Sequence, residues 1–207
     1  MLRTELIPAR TAGSRRLMVV LHGLGDSREG YRWLPSALQL PWMNYLLVDA
    51  PDPYHGGYSW FDFEGDALGG VGRSRRLLTE RLDELTGQGW PADQISLLGF
   101  SQGCLMILET GLRYPHRLAA LVGISGFLLH PEGLIRELSP AAARQTILIT
   151  HGLYDPLLSI DLVRPQIRQL QSAGLNIQWH ELAKEHTIAG QQEIGIIRDF
   201  IEACYPE

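Results

Sequence analysis

The sequence predicts an α/β fold in which a mostly parallel sheet is covered by helices on both faces. Short apolar segments alternate with helical segments along the 207 residues. Most apolar segments are continuous rather than alternating, which is typical of parallel strands buried on both faces. Strand–helix alternation also implies right-handed crossovers between parallel strands. Because the chain shows no repeat, linker or low-complexity segment, we expect residues 1–207 to form one domain.

The strands are predicted from the short apolar segments themselves, taken in chain order. The segment "TELIPA" at 4–9 is expected to form an edge strand. The six further strands are 16–22, 44–50, 94–100, 117–125, 145–152 and 176–182.

The helices are predicted from apolar residues at helical spacing and from signals at their ends. They cover 71–87, 102–114, 160–173 and 189–203. The first ends at Gly87 and the second ends before Pro115, whereas Pro165 must lie in the first turn of the third helix or kink it. A short helix at 133–139 is the only one expected between strands 117–125 and 145–152. We therefore predict an open cleft without a large lid.

Charge and composition exclude several functional classes. The formal net charge is −5 and no long basic stretch occurs, so nucleic-acid binding has no support. No stretch of about 18 apolar residues is present, and stable membrane insertion is therefore not expected. The two cysteines, Cys104 and Cys204, lack the spacing of a metal site, although a disulfide between them is compatible with the sequence. We expect a cytoplasmic protein in which Cys104 packs as a small apolar side chain.

The segment "LGFSQGC" at 98–104 places Ser101 between Gly99 and Gly103, where a strand gives way to a helix. A sharp turn of this kind forces unusual backbone angles on the serine and leaves no room for side chains two residues before and after it. Its hydroxyl then projects from the carboxyl edge of the sheet, where parallel sheets gather reactive groups. The segment predicts a nucleophilic serine, and an ordinary tight turn is the alternative.

A serine hydroxyl needs a base to become a nucleophile. When such a serine lies at a sharp strand-to-helix turn of a parallel sheet, its acid and then its histidine follow it along the chain. Asp155 lies in the loop after strand 145–152, and His186 lies in the loop after strand 176–182. Both loops leave the carboxyl ends of strands, so both side chains should meet Ser101. The alternatives are His151, His180 and His55 for the base and Asp161 and Glu181 for the acid.

The loop "LHGLGD" at 21–26 follows the first long apolar strand. In this arrangement one backbone N–H of that loop and the N–H of the residue after the nucleophile bind the developing oxyanion. We predict Leu24 and Gln102 as these donors, with His22 and Gly23 shaping the loop. Arg28 stands where a phosphate-binding G-x-G-x-x-G loop needs its third glycine, so a phosphate site is not predicted.

Five motifs occur in order along 16–203: "LHGLGD", "SWFDF", "GFSQG", "HGLYDPL" and "EHTIAGQQEIGIIRDFIE". Together they resemble the phospholipase/carboxylesterase family of α/β-hydrolases, which includes the acyl-protein thioesterases. The resemblance implies Ser101 as nucleophile, Asp155 as acid and His186 as base. It also implies Trp60 near the acyl-binding cleft, although a core tryptophan is the alternative. The sequence departs from the family pattern after the acid, where "DPLLS" replaces the more usual valine–proline.

The sequence thus predicts a serine hydrolase that cleaves carboxylic esters of short to medium acyl chains through an acyl-serine intermediate, with thioesters as a further option. We expect neither a metal nor an organic cofactor. Trp60 and Phe61, with Phe127 and Leu128, are expected to contact the acyl chain. The substrate is expected to be a small-molecule or lipid acyl ester, or an acylated protein. The alternatives are a main activity as lysophospholipase or acyl-protein thioesterase, a lactone or dienelactone hydrolase, and a non-catalytic binding protein.

Overall fold

A computed structural model describes residues 2–205 of the chain. The strands in this part are β1 (Thr4–Ile7), β2 (Arg16–Leu21), β3 (Met43–Val48), β4 (Asp52–Tyr54), β5 (Gly57–Ser59), β6 (Ile95–Phe100), β7 (Ala120–Ile124), β8 (Thr146–Gly152) and β9 (Asn176–Leu182). Seven of them form one sheet in the order β1-β3-β2-β6-β7-β8-β9. All neighbours in it are parallel except the edge strand β1, which is antiparallel to β3.

Helices cover both faces of this sheet. They are α1 (Leu34–Leu38), α2 (Ala67–Gly87), α3 (Gln102–Gly111), α4 (Pro131–Arg136), α5 (Ile160–Ser172) and α6 (Gly190–Cys204). Apolar residues of α2, α3 and α5 pack on one face, and those of α1 and α6 pack on the other. The prediction of a mostly parallel sheet between two helical layers is confirmed.

The continuous apolar strands follow from this two-sided burial. In β2, Val19 and Leu21 belong to the core beneath α2 and α3, whereas Met18 and Val20 belong to the core beneath α1 and α6. Successive side chains of a strand point to opposite faces, so a strand covered on both faces needs apolar residues at every position.

The structure departs from the predicted elements in a few places. The hairpin formed by β4 and β5, and the short helix α1, were not predicted. Helix α2 begins at Ala67 rather than 71, because the Asp66 carboxylate caps it by accepting the N–H of Gly69 at 2.9 Å. Pro165 lies in the second turn of α5 and not in the first, so the Asp161 carbonyl lacks the helical hydrogen bond that this residue would donate.

The region over the carboxyl edge of the sheet is open. Between β7 and β8 the chain forms only α4 and a single 3-10 turn at Ala142–Arg144, which leaves no large lid, as predicted. Within residues 2–205, no helix combines the length and the apolar character needed to cross a membrane.

Candidate active site

Ser101 is the one residue between the end of β6 and the start of α3. Its φ of 53° lies in the left-handed region, which side chains other than glycine rarely adopt. A side chain at Gly99 would collide with the backbone of Gly103, and one at Gly103 would collide with the carbonyl of Leu21. Glycine is therefore required at both positions because β6, α3 and the end of β2 approach each other closely around the serine.

The structure brings Ser101, His186 and Asp155 together in a hydrogen-bonded chain. The His186 Nε2 atom lies 2.9 Å from the Ser101 Oγ atom, and its Nδ1 atom lies 2.7 Å from the Asp155 Oδ2 atom. A carboxylate can only accept, so Nδ1 carries the proton and donates to Asp155. Nε2 is then free to accept from the serine hydroxyl. This arrangement can withdraw the hydroxyl proton as the oxygen attacks a carbonyl carbon.

The Asp155 side chain is buried and held by its own loop. Its Oδ1 atom accepts the backbone N–H groups of Leu157 at 2.9 Å and Leu158 at 2.8 Å. Burial alone would raise the pKa of Asp155, but these hydrogen bonds and the one from His186 outweigh it and leave the pKa below its usual value. The carboxylate is therefore ionised at neutral pH, ready to stabilise a protonated imidazole.

The loop that carries His186 is fixed by a buried ion pair. The Lys184 ammonium group donates to the Glu193 carboxylate at 2.6 Å and to the carbonyl of Thr187 at 2.8 Å. The other Glu193 oxygen accepts the N–H of Ala189 at 2.5 Å. These contacts hold the chain on both sides of His186.

Sequence reasoning missed this ion pair, although a signal for it exists. Glu193 lies four residues before Ile197 and eight before Ile201, on the apolar side of α6, and it is completely buried. A carboxylate in a buried helical stripe needs a cationic partner. Burial lowers the pKa of Lys184, and the charge of Glu193 opposes that shift.

His22 shapes the loop after β2 through two backbone contacts. Its Nε2 atom accepts the N–H of Ala50 at 3.0 Å, so its Nδ1 atom carries the proton and donates to the Gly23 carbonyl at 2.6 Å. That carbonyl belongs to the same planar peptide as the N–H of Leu24, which must point the opposite way. Burial lowers the pKa of His22 and favours this neutral form.

The segments that carry the two predicted oxyanion donors adjoin Ser101. A Cβ atom at Gly23 would lie 3.3 Å from the Ser101 Cβ atom, which brings the loop carrying Leu24 against the serine. The backbone N–H groups of Leu24 and Gln102 have no hydrogen-bond acceptor within residues 2–205. Both are thus available to a substrate oxygen.

The Gln102 side chain has a second role that was not predicted. It is completely buried, and its Oε1 atom accepts the N–H of Trp60 at 3.0 Å while its Nε2 atom donates to the Phe61 carbonyl at 2.9 Å. These contacts tie the segment after β5 to the start of α3.

Trp60 and Phe61, expected to contact the acyl chain, are both 0% exposed. The Trp60 indole N–H donates to the His22 carbonyl at 2.9 Å, so this side chain supports the loop after β2 from within the core. Phe61 packs edge-on against Phe63, which is 49% exposed and stacks on Phe127. Phe63 and Phe127 present the apolar surface, and Trp60 and Phe61 lie beneath it.

The alternative acids and bases do not reach Ser101. In the described part of the chain, the Ser101 hydroxyl is hydrogen-bonded to no side chain except His186. The His151 Nε2–H donates to the Leu158 carbonyl at 2.8 Å, which places this ring behind the Asp155 loop. Asp161 and Glu181 instead pair with an arginine of α5, Arg164.

Comparison with known proteins identifies the family. The model of the phospholipase/carboxylesterase family matches residues 4–205. The chain belongs to this family. The match confirms the predicted α/β-hydrolase fold and the predicted serine hydrolase acting on carboxylic esters.

Individual members of the family support the same assignment. Acyl-protein thioesterase 1 of Schizosaccharomyces pombe is 33% identical over 158 residues, which cover 68% of this chain and 69% of that protein. Acyl-protein thioesterase 1 of Debaryomyces hansenii is 27% identical and covers 96% of this chain and 97% of its own length. The crystal structure of esterase PE8 superposes with a TM-score of 0.89 at 28% identity, over 99% of each chain.

Proposed function

We propose that this chain hydrolyses esters and thioesters of short to medium carboxylic acids through an acyl-serine intermediate on Ser101. His186 takes the hydroxyl proton during attack and then gives it to the leaving group, while Asp155 fixes the imidazole tautomer and stabilises its cation. The N–H groups of Leu24 and Gln102 bind the negative oxygen of the tetrahedral intermediate. Water then enters in place of the leaving group and the same residues release the acid.

The observation that carries this proposal is the unbroken hydrogen-bonded chain from the Ser101 hydroxyl through His186 to the buried Asp155 carboxylate. The two unoccupied N–H donors beside the serine support it independently. A binding protein without catalytic activity would not need an ionised acid and an oriented base at the same hydroxyl.

The names of the relatives support thioesters and acylated proteins as substrates of this chain as well, and the name of the family supports lipid esters. The open carboxyl edge of the sheet agrees with this proposal, because α4 is too short to enclose a bulky substrate. Lysophospholipid hydrolysis is a second activity that the same open site would permit.

The acyl chain is proposed to lie along Phe63 and Phe127, with Trp60 and Phe61 supporting them from beneath. Each CH₂ group that is fully buried there contributes about 0.8 kcal/mol, or roughly fourfold in kcat/KM. We therefore expect kcat/KM to rise from acetyl to medium acyl chains and to level off where the aromatic surface ends.

The test is a series of acyl esters and matching thioesters of increasing chain length, assayed below their micelle concentrations. The Phe63→Ala variant should flatten the rise with chain length and leave the rate on the acetyl ester near that of the wild type. No increase in rate is expected above the micelle concentration, because there is no large lid to open. An optimum confined to the acetyl ester, or no hydrolysis of any member, would contradict the proposal.

A further inference from the structure

A second surface lies next to His186, apart from the aromatic surface proposed to bind the acyl chain. A cavity of about 490 Å³ opens there between the loop after β2 and the start of α6. Its lining includes His186 and Ile188 but neither Phe63 nor Phe127. The cavity and the exposed aromatic surface are therefore two distinct parts of the cleft.

The chemistry of acyl transfer indicates which part of the substrate would occupy the cavity, namely the leaving group. In the breakdown of the tetrahedral intermediate, the histidine gives its proton to the leaving oxygen or sulfur, which must lie within hydrogen-bond reach of the imidazole. The leaving group thus lies on the side of His186, and Thr187 and Ile188 of the same loop form the adjoining wall of the cavity.

The side chains in this wall favour some leaving groups over others. Aromatic and aliphatic groups form most of the lining, and Trp33 among them is 40% exposed. Asp26 contributes a carboxylate, and none of the lining residues in the described part of the chain is a lysine or an arginine. An exposed indole and a carboxylate both attract organic cations.

The nearest arginines along the chain do not offset this charge. Arg28 is paired with Asp49, and Arg32 is paired with Glu5 at 2.9 Å. Both cations are thus already matched by carboxylates outside the cavity lining.

An opposing field comes from the N-terminus of α6, at Gly190. A helix start carries about half a positive charge, and its effect fades within the first turn. Glu193 lies in that turn and accepts the N–H of Ala189 just before the helix, which reduces the field further. The full negative charge of Asp26 therefore outweighs it.

We propose that this cavity is a leaving-group site that selects esters and thioesters with a cationic alcohol or thiol over those with an anionic one. The inference rests on the proposed function, because a leaving group exists only if the acyl-serine reaction takes place. Phosphate-bearing or sulfonate-bearing leaving groups are disfavoured by Asp26, and cationic groups gain from both Asp26 and Trp33.

Three butyryl thioesters test this directly: those of thiocholine, 2-mercaptoethanol and 2-mercaptoethanesulfonate. Thiol release is followed, and each kcat/KM is divided by the rate of hydroxide-catalysed hydrolysis of the same ester, to remove differences in intrinsic reactivity. We expect the normalised values to fall from cation to neutral to anion. Because Asp26 is exposed, the span should be about tenfold at low ionic strength and should shrink as salt is added.

Matched variants distinguish the effect of the cavity on selectivity from the effect of the net charge of the protein. Asp26→Asn should reduce the cation-to-anion ratio of the normalised kcat/KM values about threefold. Glu64→Gln removes one exposed negative charge outside the cavity lining, so its ratio should equal that of the wild type. Trp33→Leu should lower the normalised kcat/KM of the thiocholine ester about two- to fivefold relative to those of the other two esters.

Equal normalised rates for the three esters would overturn the inference while leaving the proposed hydrolase intact. Equal shifts in Asp26→Asn and Glu64→Gln would also overturn it, since net charge and not the cavity would then be the cause. A failure to hydrolyse any of the three esters would instead contradict the proposed function, and the inference with it.

Discussion

Two serines at the carboxyl ends of neighbouring strands share an unusual positive φ of almost the same value. Ser101 follows β6 with a φ of 53°, and Ser125 follows β7 with a φ of 48°. Each has a glycine two residues before it, in "GFS" and "GIS". Yet the Ser101 hydroxyl lies 2.9 Å from the His186 Nε2 atom, whereas Ser125 is 0% exposed and its hydroxyl has no hydrogen-bond partner within residues 2–205.

The difference shows that an unusual backbone conformation alone does not make a serine a nucleophile. After Ser101 the chain enters α3 at once, so the hydroxyl stands at a helix start with a base in reach. After Ser125 the chain continues without a helix until Pro131, and a Cβ atom at Gly126 would lie 3.5 Å from the Ser101 carbonyl oxygen. The turn at Ser125 thus packs beside the turn at Ser101 and forms a wall next to it.

The largest expected effect is on kcat, and it distinguishes Ser101 from Ser125. Ser101→Ala should lower kcat by at least about 10⁴-fold, because the whole triad acts through this hydroxyl. Ser125→Ala should keep kcat within about twofold, since it removes a buried hydroxyl that has no hydrogen-bond partner in the described part of the chain. The measurement is ester hydrolysis together with labelling by a fluorophosphonate, which should modify Ser101 alone. Turnover by Ser101→Ala, or an equal loss in both variants, would contradict the assignment.

A nearly equal effect is expected at the acid and the base. Asp155→Asn should lower kcat on the order of 10⁴-fold, because an amide nitrogen facing Nδ1 favours the wrong imidazole tautomer. His186→Ala should cost about as much as Ser101→Ala, since the three residues act as a unit.

Two other histidines provide the control for this prediction. The folded variants His151→Ala and His180→Ala should retain activity, with a loss of stability for His151 because its ring is buried against Trp179. Far-ultraviolet circular dichroism and kcat are measured on every variant. A near-wild-type rate for Asp155→Asn would contradict the assignment of Asp155 as the acid.

The meeting of Ser101, Asp155 and His186 could be predicted from sequence, because it depends on a simple property of the fold. Each residue follows a strand, and the carboxyl ends of parallel strands share one edge of the sheet. The strands themselves were evident because two-sided burial requires continuous apolar segments.

Features that depend on tertiary contacts could not be predicted in this way. The strands β4 and β5 have three residues each, too few for a periodic pattern. The first turn of α2 contains Gly69 and Gly70, which argue against a helix, but Gly70 is needed there because a Cβ atom would lie 2.8 Å from the Phe61 Cβ atom. The burial of Trp60 depends on Gln102, whose side chain bonds it from a distant segment.

An intermediate effect is expected at the ion pair beneath the base. Lys184→Met removes the cation that holds the His186 loop, so kcat should fall by about 10- to 100-fold with little change in KM. Leaving Glu193 buried and unpaired should also cost about 3–5 kcal/mol of stability. The double variant Lys184→Met, Glu193→Leu should recover much of that stability but little of the lost kcat.

A second ion pair offers the matched control. Arg113 pairs with Glu109, which lies about two turns along α3 from Ser101. Arg113→Met should lower the free energy of unfolding and leave kcat unchanged. If Lys184→Met lowers stability without lowering kcat, the ion pair stabilises the fold and does not position the base.

The smallest effect concerns Cys104, which fills the space between the two serine turns. Its thiol is buried against Gly123 and Gly126, and burial raises its pKa to about 12, so the thiolate is absent at neutral pH. Cys104 and Cys204 are both free, and native protein should therefore react with a thiol reagent at Cys204 before Cys104.

Cys104→Ala should cost about 1 kcal/mol in stability for the small cavity it leaves and should keep kcat within about twofold, because neither serine turn has to move. Cys104→Met would instead push on the turn at Gly126, which touches Ser101, and should lower kcat by more than Cys104→Ala does. Equal kcat values for these two variants in ester hydrolysis would show that the wall beside Ser101 has room to move, and that the second turn does not constrain the first.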